Sequence, residues 1–167
     1  ADGRVRRLAL IQHATQPLSG AGVWPMRTEV ALWSKGAMTA IPVEVKAETT
    51  VVTAARGRPA PDFVFANLHD NAYGLVMLDG RSAQWLAANV AQVHDTFLRA
   101  MLWGAMWDLV RDARLAPIDF IAAAMRELPA EHVAVLVREL LRDEQDGLRG
   151  RVQADAGHER QVVHDRV

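Results

Sequence analysis

The chain has 167 residues, 50% of them hydrophobic and 23% charged, and its 19 basic and 20 acidic residues give a formal net charge of −1. A chain of this length can bury roughly 70% of the surface that its unfolded form exposes. Its high hydrophobic content excludes a disordered protein and favours a globular one. Residues 1–80 hold 8 basic and 7 acidic residues, and the rest of the chain holds 11 and 13, so we expect no nucleic-acid partner and no membrane partner.

The first half of the chain has the alternating pattern of β-strands. Hydrophobic residues recur at every second position in RRLALIQHA, TEVALWS and AIPVEVKAE, and further strands are predicted at TTVVTAA, DFVFANL and YGLVML. Gly, Pro and Asn, which favour turns, separate these stretches. Six or seven short strands predict a small antiparallel β-sandwich over residues 1–79.

From residue 80 the hydrophobic period becomes helical. The first predicted helix is SAQWLAANVAQVHD, with Ser82 in its N-cap region and an apolar stripe that continues to Phe97. The next segment, TFLRAMLWGAMWDLVRDARL, is apolar around most of its circumference, which is typical of a helix surrounded by other helices. We therefore predict that it is the core helix.

Two more helices follow in the pattern. Pro117 suits the first turn of a third helix, and Pro129 ends it. A fourth is predicted from about residue 131 to residue 142. The apolar stripe of the third helix consists of Ile118, Ile121, Ala122, Met125 and Leu128, and that of the fourth of Val133, Leu136, Val137, Leu140 and Leu141. The predicted fold class is α+β: the sandwich is followed, over residues 80–167, by an α-helical domain of solenoid-like helix pairs, which we expect to be incomplete.

Three residues near the C-terminus, in GHERQVVHDR, are of the types that serve a catalytic zinc. The H-E-x-x-H motif places its two His four residues apart, about 40° around a helix, so that both face the metal. His158 and His164 are six residues apart, about 240° by the same rule, so Glu159 does not stand in a zinc motif. The chain also contains no Cys, which excludes thiolate ligands and a Cys nucleophile.

A small hydrolase is an alternative of a different class. It would use His13, His69, His94 or His132 with a nearby carboxylate, Asp70 or Asp95. Isolated His residues beside Asp in loops are usually solvated polar groups, so this hypothesis is the weaker one.

Three blocks of residues around the join of the two halves follow a known pattern. They are Asn67, Tyr73, Asp79, Arg81 and Ser82; then Arg99, Ala100, Trp103, Trp107, Asp108, Val110, Arg111 and Asp112; then Pro117, Asp119 and Phe120. In this pattern the chain resembles the C-terminal part of the M1 family of zinc aminopeptidases, the aminopeptidase N type. Gln12 and the WPMR of residues 24–27 extend the resemblance, which covers most of residues 5–142.

Each of these landmarks also has a plain physical interpretation. Trp103 and Trp107 are predicted to pack in the core, and Arg99 to lie over the Trp103 ring. Asp108 is spaced for an ion pair with Arg111. Asp79 is predicted to anchor the turn into the first helix.

The resemblance implies that the catalytic parts lie elsewhere. In that family an H-E-x-x-H motif and a downstream Glu hold zinc, and a Gly-rich acidic motif binds the substrate amine; this sequence has neither. We therefore predict no catalytic, cofactor-binding or metal-binding residue in this chain, and zinc only in a full-length parent. The start at Ala1, directly upstream of a strand pattern, is what we expect of a piece of a longer protein.

The predicted function is accordingly that of a spacer and cap, inactive by itself, which limits access of peptides to a catalytic domain outside this chain. Its expected partners are that catalytic domain and the parent's peptide substrates, and the expected location is cytoplasmic. The alternative is a stand-alone module, a sandwich plus helices, that binds a peptide or a protein.

Overall fold

Antiparallel sheets followed by three helices make up the fold in the computed structural model, which describes residues 3–13 and 23–127. The predicted α+β class is thus confirmed. The strands are β1 Ala9–Ile11, β2 Met26–Ser34, β3 Ala37–Val45, β4 Thr49–Val51 and β5 Phe63–Phe65, and the helices are α1 Gly80–Asn89, α2 Thr96–Arg111 and α3 Pro117–Glu127. The predicted fourth helix, His132, His158, Glu159 and His164 lie outside the described residues.

The strands form two small sheets. One has three strands in the order β3-β2-β5 and the other pairs β1 with β4, and all neighbours are antiparallel. The β2–β3 hairpin turns at Lys35 and Gly36, both with positive φ, as expected for a tight hairpin. A hydrogen bond from Lys46 and its charge, with the charge of Arg27 across the hairpin adding to them, lower the pKa of the Glu44 carboxyl below its ordinary value.

Both faces of the three-stranded sheet are covered. On one face Val30, Leu32 and Ile41 form a core with Val52. Leu10 of β1 and the neighbouring Leu8 pack against this core. On the other face Trp33 stacks on Phe63, which in turn contacts Trp85 of α1. Residues 30–33 are therefore buried in an unbroken run, whereas an alternating pattern predicts one buried face.

Helices α1 and α2 begin at acidic caps. The Asp79 carboxylate accepts hydrogen bonds from the backbone N–H groups of Arg81 and Ser82, so the predicted anchoring role of Asp79 is confirmed and the N-cap lies three residues before Ser82. The predicted first helix breaks after Asn89 and passes through a 3₁₀ turn, Val90–Gln92. Helix α2 then starts afresh at the cap Asp95, which leaves Phe97 exposed in its first turn although the sequence pattern placed it in one stripe with α1.

Helix α3 starts at Pro117, as predicted, but a different face is buried. Phe120, Ala123 and Ala124 point inward, whereas Ile118, Ile121 and Met125 of the stripe indicated by the sequence are exposed. The helix has apolar residues on several sides, so hydrophobic spacing alone did not identify its inner face.

Between β5 and α1 the sequence predicts a strand, YGLVML, and this prediction is wrong for the described structure. Residues 73–78 belong to no strand there. The described residues all fall in one compact unit, Ala1–Glu127, and the predicted boundary between residues 79 and 80 stays a prediction. In the helices described, the combination of length and apolar character needed to cross a bilayer does not occur.

Candidate functional site

A cleft open to solvent lies between α2 and the segment that follows β5. Its volume is about 150 Å³. Its lining consists of Phe65, Asn67, Asp70, Gly74, Leu75, Val76, Met101, Gly104, Ala105 and Asp108. One wall is thus a single face of α2, because residues 101, 104, 105 and 108 have the three-and-four spacing that brings helical side chains together.

Small residues on α2 keep this cleft open. Gly104 and Ala105 occupy the middle of the helical wall, and a Cβ atom added at Gly104 would meet no heavy atom within 4 Å. The space in front of Gly104 would therefore accept a methyl group without a clash.

The opposite wall is held by the buried side chain of Asn67. Its Nδ2 group donates to Asp70 Oδ1 at 3.0 Å and to the Ala72 carbonyl at 2.8 Å. Its Oδ1 atom accepts from the Ala72 N–H at 2.9 Å and from the Thr28 hydroxyl at 3.3 Å. Since both amide donors and the carbonyl oxygen have partners, Asn67 fixes the loop after β5 to strand β2.

Substitution Asn67→Ala is expected to lower the free energy of unfolding by about 1–3 kcal/mol, because the N–H and carbonyl of Ala72 would both lose their hydrogen bonds to the Asn67 side chain. The measurement is urea unfolding followed by far-UV circular dichroism. The matched control is Asn71→Ala, at an exposed position of the same loop, which should change stability by less than about 0.5 kcal/mol. Equal effects at the two positions would contradict the anchoring role of Asn67.

A second polar cluster joins the sheet to α1. The Ser82 hydroxyl accepts a hydrogen bond from the Val64 N–H of β5 at 2.9 Å and donates to the Asp79 carboxylate. Asp79 also accepts from the Arg81 and Ser82 N–H groups, both at 3.0 Å. The sequence marked Asp79 and Ser82 as landmarks, but the contact with Val64 requires the tertiary fold.

The cleft combines charged and apolar side chains. Two carboxylates, Asp70 and Asp108, lie among mainly apolar neighbours, and Arg111 Nη1 approaches Asp108 Oδ1 to 3.6 Å, which confirms the predicted ion pair. Among the described residues that line the cleft there is no His, Ser, Thr or Lys side chain. The lining thus supplies negative charge and an apolar surface.

The residues proposed for a small hydrolase are dispersed. His69 Nδ1 contacts the Glu29 carboxylate and not the neighbouring Asp70, whose Oδ1 accepts from Asn67. His13 lies 4.0 Å from Glu48, and the Asp95 carboxylate caps α2 through the Leu98 N–H. Both carboxylates considered for a small hydrolase, Asp70 and Asp95, therefore have a structural hydrogen-bond partner.

Over residues 3–13 and 23–127, no group of three or more His, Asp or Glu side chains is placed to hold a metal ion. The predictions of no metal-binding, no cofactor-binding and no catalytic residue stay predictions, because several of the candidate His residues lie outside these ranges.

The aromatic landmarks pack against α3. Trp103 meets Phe120 edge to face with ring centres 5.7 Å apart, and Trp107 lies 5.4 Å from the same ring. Arg99 Nη1 donates to the Val93 carbonyl, which holds the end of the 3₁₀ turn against α2. Tyr73 is exposed, so its hydroxyl is not buried.

Part of the sequence is similar to a known protein. No known protein-family profile matches this sequence. Over 102 residues, 61% of this chain, the sequence is 28% identical to the aminopeptidase N of Streptomyces lividans. The matched residues cover 12% of that protein, so the chain spans a small part of its relative's length. The similarity supports an aminopeptidase N-like relationship and is compatible with a piece of an aminopeptidase.

Proposed function

We propose that this chain is a non-catalytic C-terminal portion of an M1-type zinc aminopeptidase, in which it acts as a spacer and cap that limits peptide access to a catalytic domain. The observation behind the proposal is the similarity to aminopeptidase N over 102 residues that make up 12% of that protein. The landmarks of the M1 resemblance agree with it, since Asp79 caps a helix and Trp103 packs in the core, as expected of scaffold residues.

The zinc of such an enzyme is not assigned to this chain. The sequence contains no H-E-x-x-H motif, and the described residues offer no cluster of metal ligands. The zinc chemistry, the peptide substrates and the cytoplasmic location therefore belong to the proposal about a longer parent protein.

Two features of the described residues support a cap. The open cleft beside α2 combines carboxylates with apolar groups, a surface suited to contacting polypeptide. Helix α3 exposes Ile118, Ile121 and Met125, as a helix does in an array that continues beyond it.

The purified chain is expected not to hydrolyse an aminoacyl p-nitroanilide above the buffer rate, and an antibody raised against it should detect a native polypeptide several times larger than 18.4 kDa. Chelator-sensitive hydrolysis that co-purifies with the 167-residue chain would overturn the assignment as non-catalytic. A native band at 18.4 kDa would instead favour the stand-alone binding module, and capture of its peptide or protein ligand would be the next experiment.

The cap role has its own test in the parent enzyme. Truncating that enzyme before the residue equivalent to Gly80 should leave hydrolysis of a small p-nitroanilide measurable and raise kcat/KM for a long peptide relative to it, because access to the cleft is widened. An unchanged ratio of the two kcat/KM values would show that the helices do not restrict access.

A further inference from the structure

Residues 73–77 form a short stretch of backbone between two anchored points. Before it, the N–H and carbonyl of Ala72 are hydrogen-bonded to the Asn67 side chain. After it, Leu78 is buried and Asp79 caps α1. Residues 73–77 belong to no helix or strand, and no backbone hydrogen bond joins them to another described residue. Their N–H and C=O groups are therefore available to another molecule.

The start of this stretch is open to solvent. Tyr73 is 101% exposed, Leu75 is 60% exposed, and Gly74 between them is exposed as well. A Cβ atom built on Gly74 would meet no heavy atom within 4 Å, so the space beside the backbone is also open. Another protein can hold an extended peptide through the peptide's N–H and C=O groups. Here these groups can be reached without opening a helix or a sheet.

We propose that the Tyr73–Gly74 peptide bond is a proteolytic cleavage site for a serine protease of the chymotrypsin type. Such a protease has a hydrophobic pocket for the side chain that precedes the bond it cuts. Its serine attacks the Tyr73 carbonyl carbon, the C–N bond breaks, and Gly74 leaves as a protonated amine. Water then hydrolyses the acyl-enzyme and leaves a carboxylate on Tyr73. Exposed loops with small and polar residues are the preferred sites of such cuts.

The other exposed aromatic residues of the described part of the chain are less suitable. Phe97 is 55% exposed, but it lies in the first turn of α2. A protease could bind it only after that helix opens locally. Trp24 is 65% exposed, but its N–H and carbonyl are both hydrogen-bonded to the Gln12 side chain. Tyr73 therefore combines the required side chain with an unbonded backbone.

The two pieces are expected to stay together after the cut. The Val64 N–H donates to the Ser82 hydroxyl at 2.9 Å, and the rings of Phe63 and Trp85 lie 5.3 Å apart. In both contacts one residue precedes the cut and the other follows it, so both contacts survive cleavage. The inference does not rest on the proposed function, since it concerns the backbone of this chain.

Limited digestion of the 167-residue chain with chymotrypsin tests both parts of the proposal. Within residues 23–127, the earliest new N-terminus should be Gly74, which N-terminal sequencing identifies by the order GLVML. On gel filtration without denaturant the cut chain should elute as the intact chain does, and in urea it should separate into two pieces. An earlier cut after Trp24 or Phe97 would overturn the assignment of the site. Separation without denaturant would overturn the claim that the pieces stay joined.

A second protease separates the position from the side chain. Residues 71–79 contain no Lys or Arg, so trypsin has no site there in the natural sequence. Tyr73→Arg should create one, and trypsin should cut it at least about tenfold faster than the matched variant Ile121→Arg, because a helix must open before it is cut. Residue 121 is 50% exposed in the middle of α3. Far-UV circular dichroism checks that each variant is folded.

A third variant tests the aromatic ring. In Tyr73→Ala the chymotrypsin product that begins at Gly74 should disappear, while the circular dichroism spectrum is unchanged. Persistence of that product at the original rate would contradict the role of the ring. Equal trypsin rates at residues 73 and 121 in folded variants would show that the backbone of residues 73–77 is no more accessible than a helix, and the proposal would fail.

Discussion

Replacing Trp103 with Ala is expected to lower the free energy of unfolding by about 3–5 kcal/mol, the range found for truncation of large buried side chains. Trp103 is 1% exposed on α2, and its ring meets Phe120 of α3 edge to face at 5.7 Å. Truncation would remove this contact and leave a cavity between the two helices. Urea unfolding followed by circular dichroism at 222 nm measures the loss.

A matched control exists at Trp24, which is 65% exposed. Trp24→Ala removes a side chain of the same size, but it should change the free energy of unfolding by less than about 0.5 kcal/mol. If the two substitutions cost the same, α2 and α3 are not joined through Trp103.

Phe63→Ala is expected to cost a similar amount, about 3–5 kcal/mol, for a different reason. Phe63 lies on β5, 1% exposed, between Trp33 of the sheet at 5.7 Å and Trp85 of α1 at 5.3 Å. Its removal would open the contact between sheet and helix. The destabilisation should therefore appear in one cooperative transition that sheet and helices share.

Two measurements check this expectation. The unfolding midpoint should fall equally by circular dichroism at 222 nm, which reports mainly helices, and by tryptophan fluorescence, which includes Trp33. The control Phe97→Ala, 55% exposed on α2, should leave both midpoints nearly unchanged. Separate midpoints in Phe63→Ala would mean that the two predicted domains unfold independently.

The structure gives physical roles to two residues that the sequence marked as landmarks, Asn67 and Asp79. Asn67 and Asp79 stood out in the sequence through a resemblance, and the physical interpretation of the residues gave no role for Asn67 and a turn anchor for Asp79. In the structure Asn67 holds the wall of the cleft through Ala72 and Thr28, and Asp79 caps α1 and contacts Ser82. Asn67 bonds across 39 residues of sequence, a separation at which local patterns carry no information.

The sequence by itself determined the local elements. The spacing of hydrophobic residues located β2, β3 and α2, Pro117 set the start of α3, and Asp79 gave the anchor before α1. These features depend on residues within one or two turns of each other, where backbone geometry and side-chain type leave few alternatives.

The tertiary structure alone decided which faces are buried and which strands find partners. The sequence indicated a stripe through Ile118 and Ile121, but packing against Trp103 and Trp107 turned Phe120 inward. The strand pattern of residues 73–78 likewise found no partner in the described residues. Burial and hydrogen-bond pairing depend on residues far apart in the chain, so an amphipathic pattern specifies that a face will be covered but not what will cover it.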